Sequence, residues 1–152
     1  MSSDLSRALH TARVIRAALP VEPDARWREF AFGEWEGLTW DEIAARWPQA
    51  DQAGPTTAKR YAPPGGETFE AVCSRVTQAL ADLQERGFER ALVVTHAGPL
   101  HAMLHRYFGD RGAEMQEALG VRFSPASVTR IRIQGRPELL SLNDVRHLDT
   151  SS

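Results

Sequence analysis

Apolar residues recur along the chain with two different periods, and the changes of period mark its elements. Leu5, Ala8, Leu9, Ala12, Ile15 and Leu19 stand three and four apart, the spacing of one buried helix stripe. Ser2, Ser3 and Asp4 are suited to cap that helix and Pro20 to end it. Thr39-Trp40-Asp41-Glu42 has the form of a capping box, so a second helix starts at Trp40, turns Trp40, Ile43, Ala44 and Trp47 to one side, and stops at Pro48. The clearest stripe, Phe69, Val72, Cys73, Val76, Leu80 and Leu83, predicts a long helix ended by Gly87. From Ala91 to Val94 the chain is apolar and partly β-branched, then turns polar at Thr95-His96 and tight at Ala97-Gly98-Pro99. Leu100, Met103, Leu104 and Phe108 then return at helical spacing. That sequence reads as a buried strand, a turn and a helix.

The remaining segments are less regular. Val21 to Gly37 mixes Trp27, Phe30, Phe32 and Trp35 with charged residues and reads as a short strand followed by a loop. Pro48 to Gly66 is dense in proline and glycine and reads as a loop, either one that shapes a pocket mouth or a disordered excursion. Asp110 to Gly120 can add a short helix through Met115 and Leu119. Val128 to Ile133 alternates apolar and polar as a half-exposed strand does, Pro137 to Leu142 reads as another, and Gln134-Gly135-Arg136 suits the hairpin turn between them. Residues 149–152 are expected to be a disordered tail. The chain opens with a cap and a helix, without the strand that usually leads an α/β domain.

Composition narrows the function classes. A chain of 152 residues with 25% charged and 42% hydrophobic residues is expected to be one domain that buries a core without disulfides. A net charge of -2 and the lack of a long basic run argue against nucleic acid as a partner. No apolar run approaches the roughly 20 residues that cross a bilayer, and Met1-Ser2-Ser3-Asp4 lacks the features of a secretory signal, so the expected location is cytoplasmic with no membrane partner. The single Cys73 falls on an apolar helix face and reads as a packing residue.

Candidate chemistry is spread over separate segments. His101 and His105 are four apart, as on a zinc-binding helix, but no Glu follows His101 and no third ligand stands at a telling spacing, so no metal site is assigned. A Gly-x-Ser-x-Gly elbow, a P-loop and a dinucleotide fingerprint are absent from the sequence. Arg7 could offer a guanidinium fork to a phosphate. Glu29 lies among aromatic residues that could raise a carboxylate's pKa toward neutrality. His96 stands at a strand's C-terminal end beside a helix N-terminus, where anions bind. Singly, each has a plainer reading: Arg7 as a surface residue, Glu29 as a strand-edge carboxylate, His96 as a cap.

Taken in order, the segments Ser2 to Ala12, Glu29 to Gly37, Gly65-Gly66-Glu67-Thr68 and Val93 to Gly98 resemble those of the histidine phosphatase superfamily. Leu142 to Leu148 also looks like the ending of bacterial members. The resemblance implies an α/β fold: a three-layer α/β/α sandwich, mostly parallel sheet with helices on both faces, phosphoglycerate mutase-like. It implies phosphoryl transfer through a phosphohistidine, without metal or cofactor, on a small phosphorylated metabolite. Arg7 matches a phosphate-binding arginine, Glu29 the proton donor and His96 the second histidine. Phe32-Gly33-Glu34-Trp35-Glu36-Gly37 resembles the phosphatase branch, including α-ribazole phosphatases, more than the mutases.

One departure is large. The family's nucleophile lies in an Arg-His-Gly tripeptide on its first strand, and no such tripeptide occurs in this sequence. Arg146-His147-Leu148 is the nearest string and lacks the glycine. The expectation is a single domain over 1–152 that is incomplete at its N-terminus, missing the first strand and helix through a truncated or misassigned start. Such a chain would expose strand edges, and would be unstable or would cover them as a homodimer or by a strand swap. It would show no phosphatase activity alone. The alternatives are a non-catalytic protein that binds a phosphate ligand or regulates, and a phosphoglycerate mutase.

Overall fold

Met1 to Ser3 run extended between two other extended segments. Ser2 forms parallel bridges to Pro23 on one side and to Val94 on the other. The Ser2 amide donates to the Glu22 carbonyl at 2.9 Å, that of Ser3 to Val94 at 2.8 Å, and that of Val94 to Met1 at 3.1 Å. Ser2 and Ser3 are fully buried there. In a computed structural model of the chain, residues 1–15, 20–53, 62–109 and 122–149 are described. They fall into two units, Met1–Met103 and Leu104–Ser152.

In the first unit, α1 spans Ser6–Ile15 and buries Ala8 and Ala12. Ile15, expected on the buried stripe, is 56% exposed, and Leu19 lies outside the described residues. Among the described residues, the stretch expected to hold a short strand makes a single bridge at Pro23, followed by 3-10 turns at Ala25–Trp27 and Gly33–Trp35. The second helix, α2, spans Trp40–Arg46 behind the expected capping box. The Thr39 hydroxyl accepts the Glu42 amide at 3.3 Å, and the Glu42 carboxylate accepts the Thr39 amide at 2.7 Å. Trp35, Ile43 and Ala50 form a buried cluster with Trp40 and Trp47 packed on it.

Pro48 does not lead into a loop. It opens a further helix, α3, over Pro48–Ala53, because the residue that cannot continue one helix is well suited to the first position of the next. Residues 54–61 of the expected loop lie outside the described residues. The long helix α4 covers Phe69–Glu85 and buries Val72, Val76, Ala79, Leu80 and Leu83. Each fully buried Val or Leu contributes about 1.5–3 kcal/mol. Cys73 is only partly buried. The strand expected at Ala91 to Val94 is, among the described residues, an extended segment bridged to Ser2 whose Leu92 carbonyl accepts the Met1 amino group at 2.8 Å, and α5 then spans Ala97–Phe108.

The short helix expected at Asp110 to Gly120 lies outside the described residues, as do residues 150–152 of the expected tail. In the second unit, β1 over Val128–Arg132 pairs antiparallel with β2 over Glu138–Asp144. The register slips near Arg130, where Asn143 takes the left-handed conformation (φ 51°) and its side chain accepts the Ser124 amide at 2.7 Å. Among the described residues this pair is antiparallel, and the parallel pairing rests on the bridges at Ser2. A 3-10 turn at Arg146–Leu148 follows. No described helix is long and apolar enough to cross a membrane.

Candidate active site

His96 stands between the extended segment at Val94 and the start of α5, held by a bond that the sequence did not foretell. Its Nε2 lies 2.9 Å from the hydroxyl oxygen of Ser3, the residue that ends the neighbouring extended segment. Ser3 also accepts the Leu5 amide at 3.3 Å, so one buried hydroxyl ties the turn that leads into α1 to the imidazole. Thr95, just before it, donates to the Trp27 carbonyl at 2.8 Å. The ring is thereby tied to two other segments of the first unit.

Burial lowers the His96 pKa below the ordinary histidine value, and the positive charge of Arg7 lowers it further. Glu29 opposes the shift and Arg75 adds to it. Ser3, four positions before Arg7, meets His96, and Glu29 meets Gly98, two positions after it, so the segments carrying Arg7, Glu29 and His96 come together although 89 positions separate the first from the last. The imidazole is neutral at neutral pH. Arg7, in the first turn of α1, is exposed, and its guanidinium makes no ion pair among the described residues. It is a cation still available to an anion.

Glu29 is half-buried. Its Oε1 accepts the amide of Phe30 at 2.8 Å and that of Gly98, in the first turn of α5, at 2.8 Å. Its other oxygen has no hydrogen-bond partner among the described residues. The expected aromatic neighbours are present, with Phe30 buried and its ring centroid 5.2 Å from that of Phe32. The groups that orient the carboxyl are nevertheless backbone amides. Gly98 permits this: a Cβ there would sit 2.3 Å from Oε1.

The Gly65-Gly66-Glu67-Thr68 turn holds the loop that carries Glu29. The Glu34 amide donates to the Pro64 carbonyl at 2.9 Å, and the Glu67 amide to the Ala31 carbonyl at 2.9 Å. A Cβ on Gly33 (φ +52°) would stand 2.2 Å from the Pro64 carbonyl oxygen, so backbone meets backbone with no room for a side chain. Glu67 accepts the Ala31 amide at 3.0 Å and pairs with Arg75 of α4 at 2.8 Å. Sequence reading placed no role on Arg75, and saw Ser3 only as a helix cap and Gly98 only as part of a turn.

His101 is partly buried and His105 exposed. No group of three or more His, Cys, Asp or Glu among the described residues could hold a metal ion.

Comparison with known proteins gives this geometry a family. Residues 1–145 match the model of the histidine phosphatase superfamily, branch 1. The glucosyl-3-phosphoglycerate phosphatase of Mycolicibacterium vanbaalenii is 38% identical over 120 residues, which are 72% of this chain and 52% of that protein. The adenosylcobalamin/alpha-ribazole phosphatase of Escherichia coli is 31% identical over 112 residues, 72% of this chain and 55% of that protein. The chain thus spans about half the length of these curated relatives. The solved structure of Bacillus stearothermophilus YhfR superposes with a TM-score of 0.82 at 30% identity, covering 97% of this chain and 74% of that one. The fold is therefore the α/β fold of the phosphoglycerate mutase-like proteins. By its sequence and by its fold, the chain belongs to branch 1 of the histidine phosphatase superfamily.

Proposed function

We propose that these residues form the phosphoryl-binding and proton-donating part of a phosphomonoester hydrolase that works through a phosphohistidine. The observation that carries this reading is the pair of contacts that tie His96 to Ser3, just before the helix that bears Arg7, and Glu29 to Gly98, two residues beyond His96. A phosphoryl group in flight spreads negative charge over its oxygens and needs fixed donors around it. Arg7 supplies an unneutralised guanidinium and His96 an imidazole whose orientation Ser3 sets. The departing alkoxide needs a proton. A neutral Glu29 keeps Oε1 as its acceptor for the two amides and carries the transferable proton on the other oxygen. The substrate class is a small phosphorylated metabolite, in keeping with relatives named as phosphatases of glucosyl-3-phosphoglycerate and of α-ribazole. Both names favour hydrolysis over the mutase reaction.

The nucleophile is a separate matter. The sequence contains no Arg-His-Gly, so we propose that these 152 residues alone bind phosphate without turning over a phosphomonoester. The same observation favours a second reading, a protein that binds a phosphate ligand without catalysis.

Two measurements on the pure chain test this. Inorganic phosphate, followed by calorimetry, should bind, and Arg7→Ala should weaken binding by roughly 10- to 150-fold, as the loss of a charge-assisted hydrogen bond worth about 1.5–3 kcal/mol requires. An aryl phosphate should not be hydrolysed. Turnover abolished by His96→Ala would place the nucleophile at His96 and overturn the assignment.

A further inference from the structure

We propose that Arg75 is a positioning residue for Glu29, and that its guanidinium sets where the acid's carboxyl group stands. That Glu29 acts as the acid rests on the functional reading above; that Arg75 fixes it does not.

Arg75 reaches from α4 to the loop that carries Glu29. Its Nη1 donates to the carbonyls of Arg26 at 2.7 Å and Arg28 at 2.8 Å. Its Nη2 donates to the carbonyl of Glu29 at 3.2 Å and to the Glu67 carboxylate at 2.9 Å, and its Nε donates to the other Glu67 oxygen at 2.8 Å. A guanidinium has five N–H groups, and these five bonds use all of them. Arg75 therefore has no donor left for a ligand, although its charge reaches His96. Arg7 is the opposite case, an exposed guanidinium with no carboxylate partner among the described residues.

What Arg75 does hold is backbone. Three carbonyls between positions 26 and 29 converge on one planar cation, which Glu67 neutralises and anchors while also accepting the Ala31 amide. With the loop pinned on both sides of Glu29, the carboxyl has one place to go, against the amides of Phe30 and Gly98. Lysine cannot substitute. Its ammonium has three donors and no fork, so it cannot serve three carbonyls and a bidentate carboxylate together.

The Gly98 amide is the reporter, because its proton points at the Glu29 carboxyl. In nitrogen–proton correlation spectra of the full chain, its shift should follow the titration of Glu29, and Glu29→Gln should abolish that excursion. In Arg75→Lys the excursion should fall to roughly half or less, while the amides of Leu80 and Leu83 in α4 keep their shifts. An undiminished excursion in folded Arg75→Lys overturns the proposal, and so does a Gly98 amide that ignores Glu29 in the native chain. Should Arg75→Lys not fold, Glu67→Gln, which loosens the anchor and leaves the arginine, is scored by the same two outcomes. No phosphorylated compound enters the measurement, so a chain that binds no phosphate would end the functional reading and leave this one standing.

Discussion

The amide nitrogen of Gly98 stands 2.8 Å from Oε1 of Glu29, so the first turn of α5 and the loop after Trp27 are joined through the carboxyl group itself. His96 lies two positions before that glycine. The proposed acid and His96 are thus referred to the same helix end, and disturbing one disturbs the position of the other.

Gly98→Ala would put a Cβ 2.3 Å from the Glu29 oxygen. The contact cannot be relieved without moving the carboxyl or the start of α5. Overpacking of this kind costs about 1–3 kcal/mol. Urea unfolding of the variant should show a lowered midpoint, and a wild-type midpoint would mean that the two groups are not in contact.

The His96 environment makes stability depend on pH. Burial holds its folded pKa below the ordinary value of 6.5, so the unfolded chain takes up a proton first as pH falls. Its contribution is intact above that value and is lost as pH drops through it toward the folded pKa. The carboxylates held low by arginines, Asp4 and Asp24 among them, start from 3.8 and lose their contribution only at lower pH. Thermal unfolding of the native chain should therefore weaken between about pH 7.5 and 5.5, and His96→Gln should flatten that range. A native curve already flat there would contradict the burial of a neutral imidazole.

The capping box at α2 makes a prediction away from the site. Thr39→Ala removes the hydroxyl that accepts the Glu42 amide and the start signal that Glu42 completes. The loss should be about 1 kcal/mol in chemical denaturation. An unchanged midpoint would show that packing of Trp40 and Ile43 alone sets the start of the helix.

What the sequence made legible follows from period and length. The stripe from Phe69 to Leu83 and the box at Thr39 are repeated local signals, and α4 and α2 stand where they point. Ser2 and Ser3 were legible only as caps, because polar residues carry no strand period. In the structure they form the buried middle of a parallel pairing whose partners lie about 20 and 90 positions away. Pro48 was ambiguous for a different reason, since the same ring that ends one helix suits the start of the next. Of the proposed site, Arg7, Glu29 and His96 could be picked out through ordered motifs. Arg75 could not, because the groups it serves are carbonyls, which every residue has and no sequence distinguishes.

The proposed convergence of Arg7, Glu29 and His96 on one phosphoryl group is tested most directly by titrating the chain with inorganic phosphate while observing side-chain nitrogen resonances. The Arg7 guanidinium and the His96 imidazole should shift together along one binding curve, and Glu29→Gln should alter that curve for both. A phosphate-saturated chain in which either resonance stays in place, or in which the two follow different curves, would contradict the shared site.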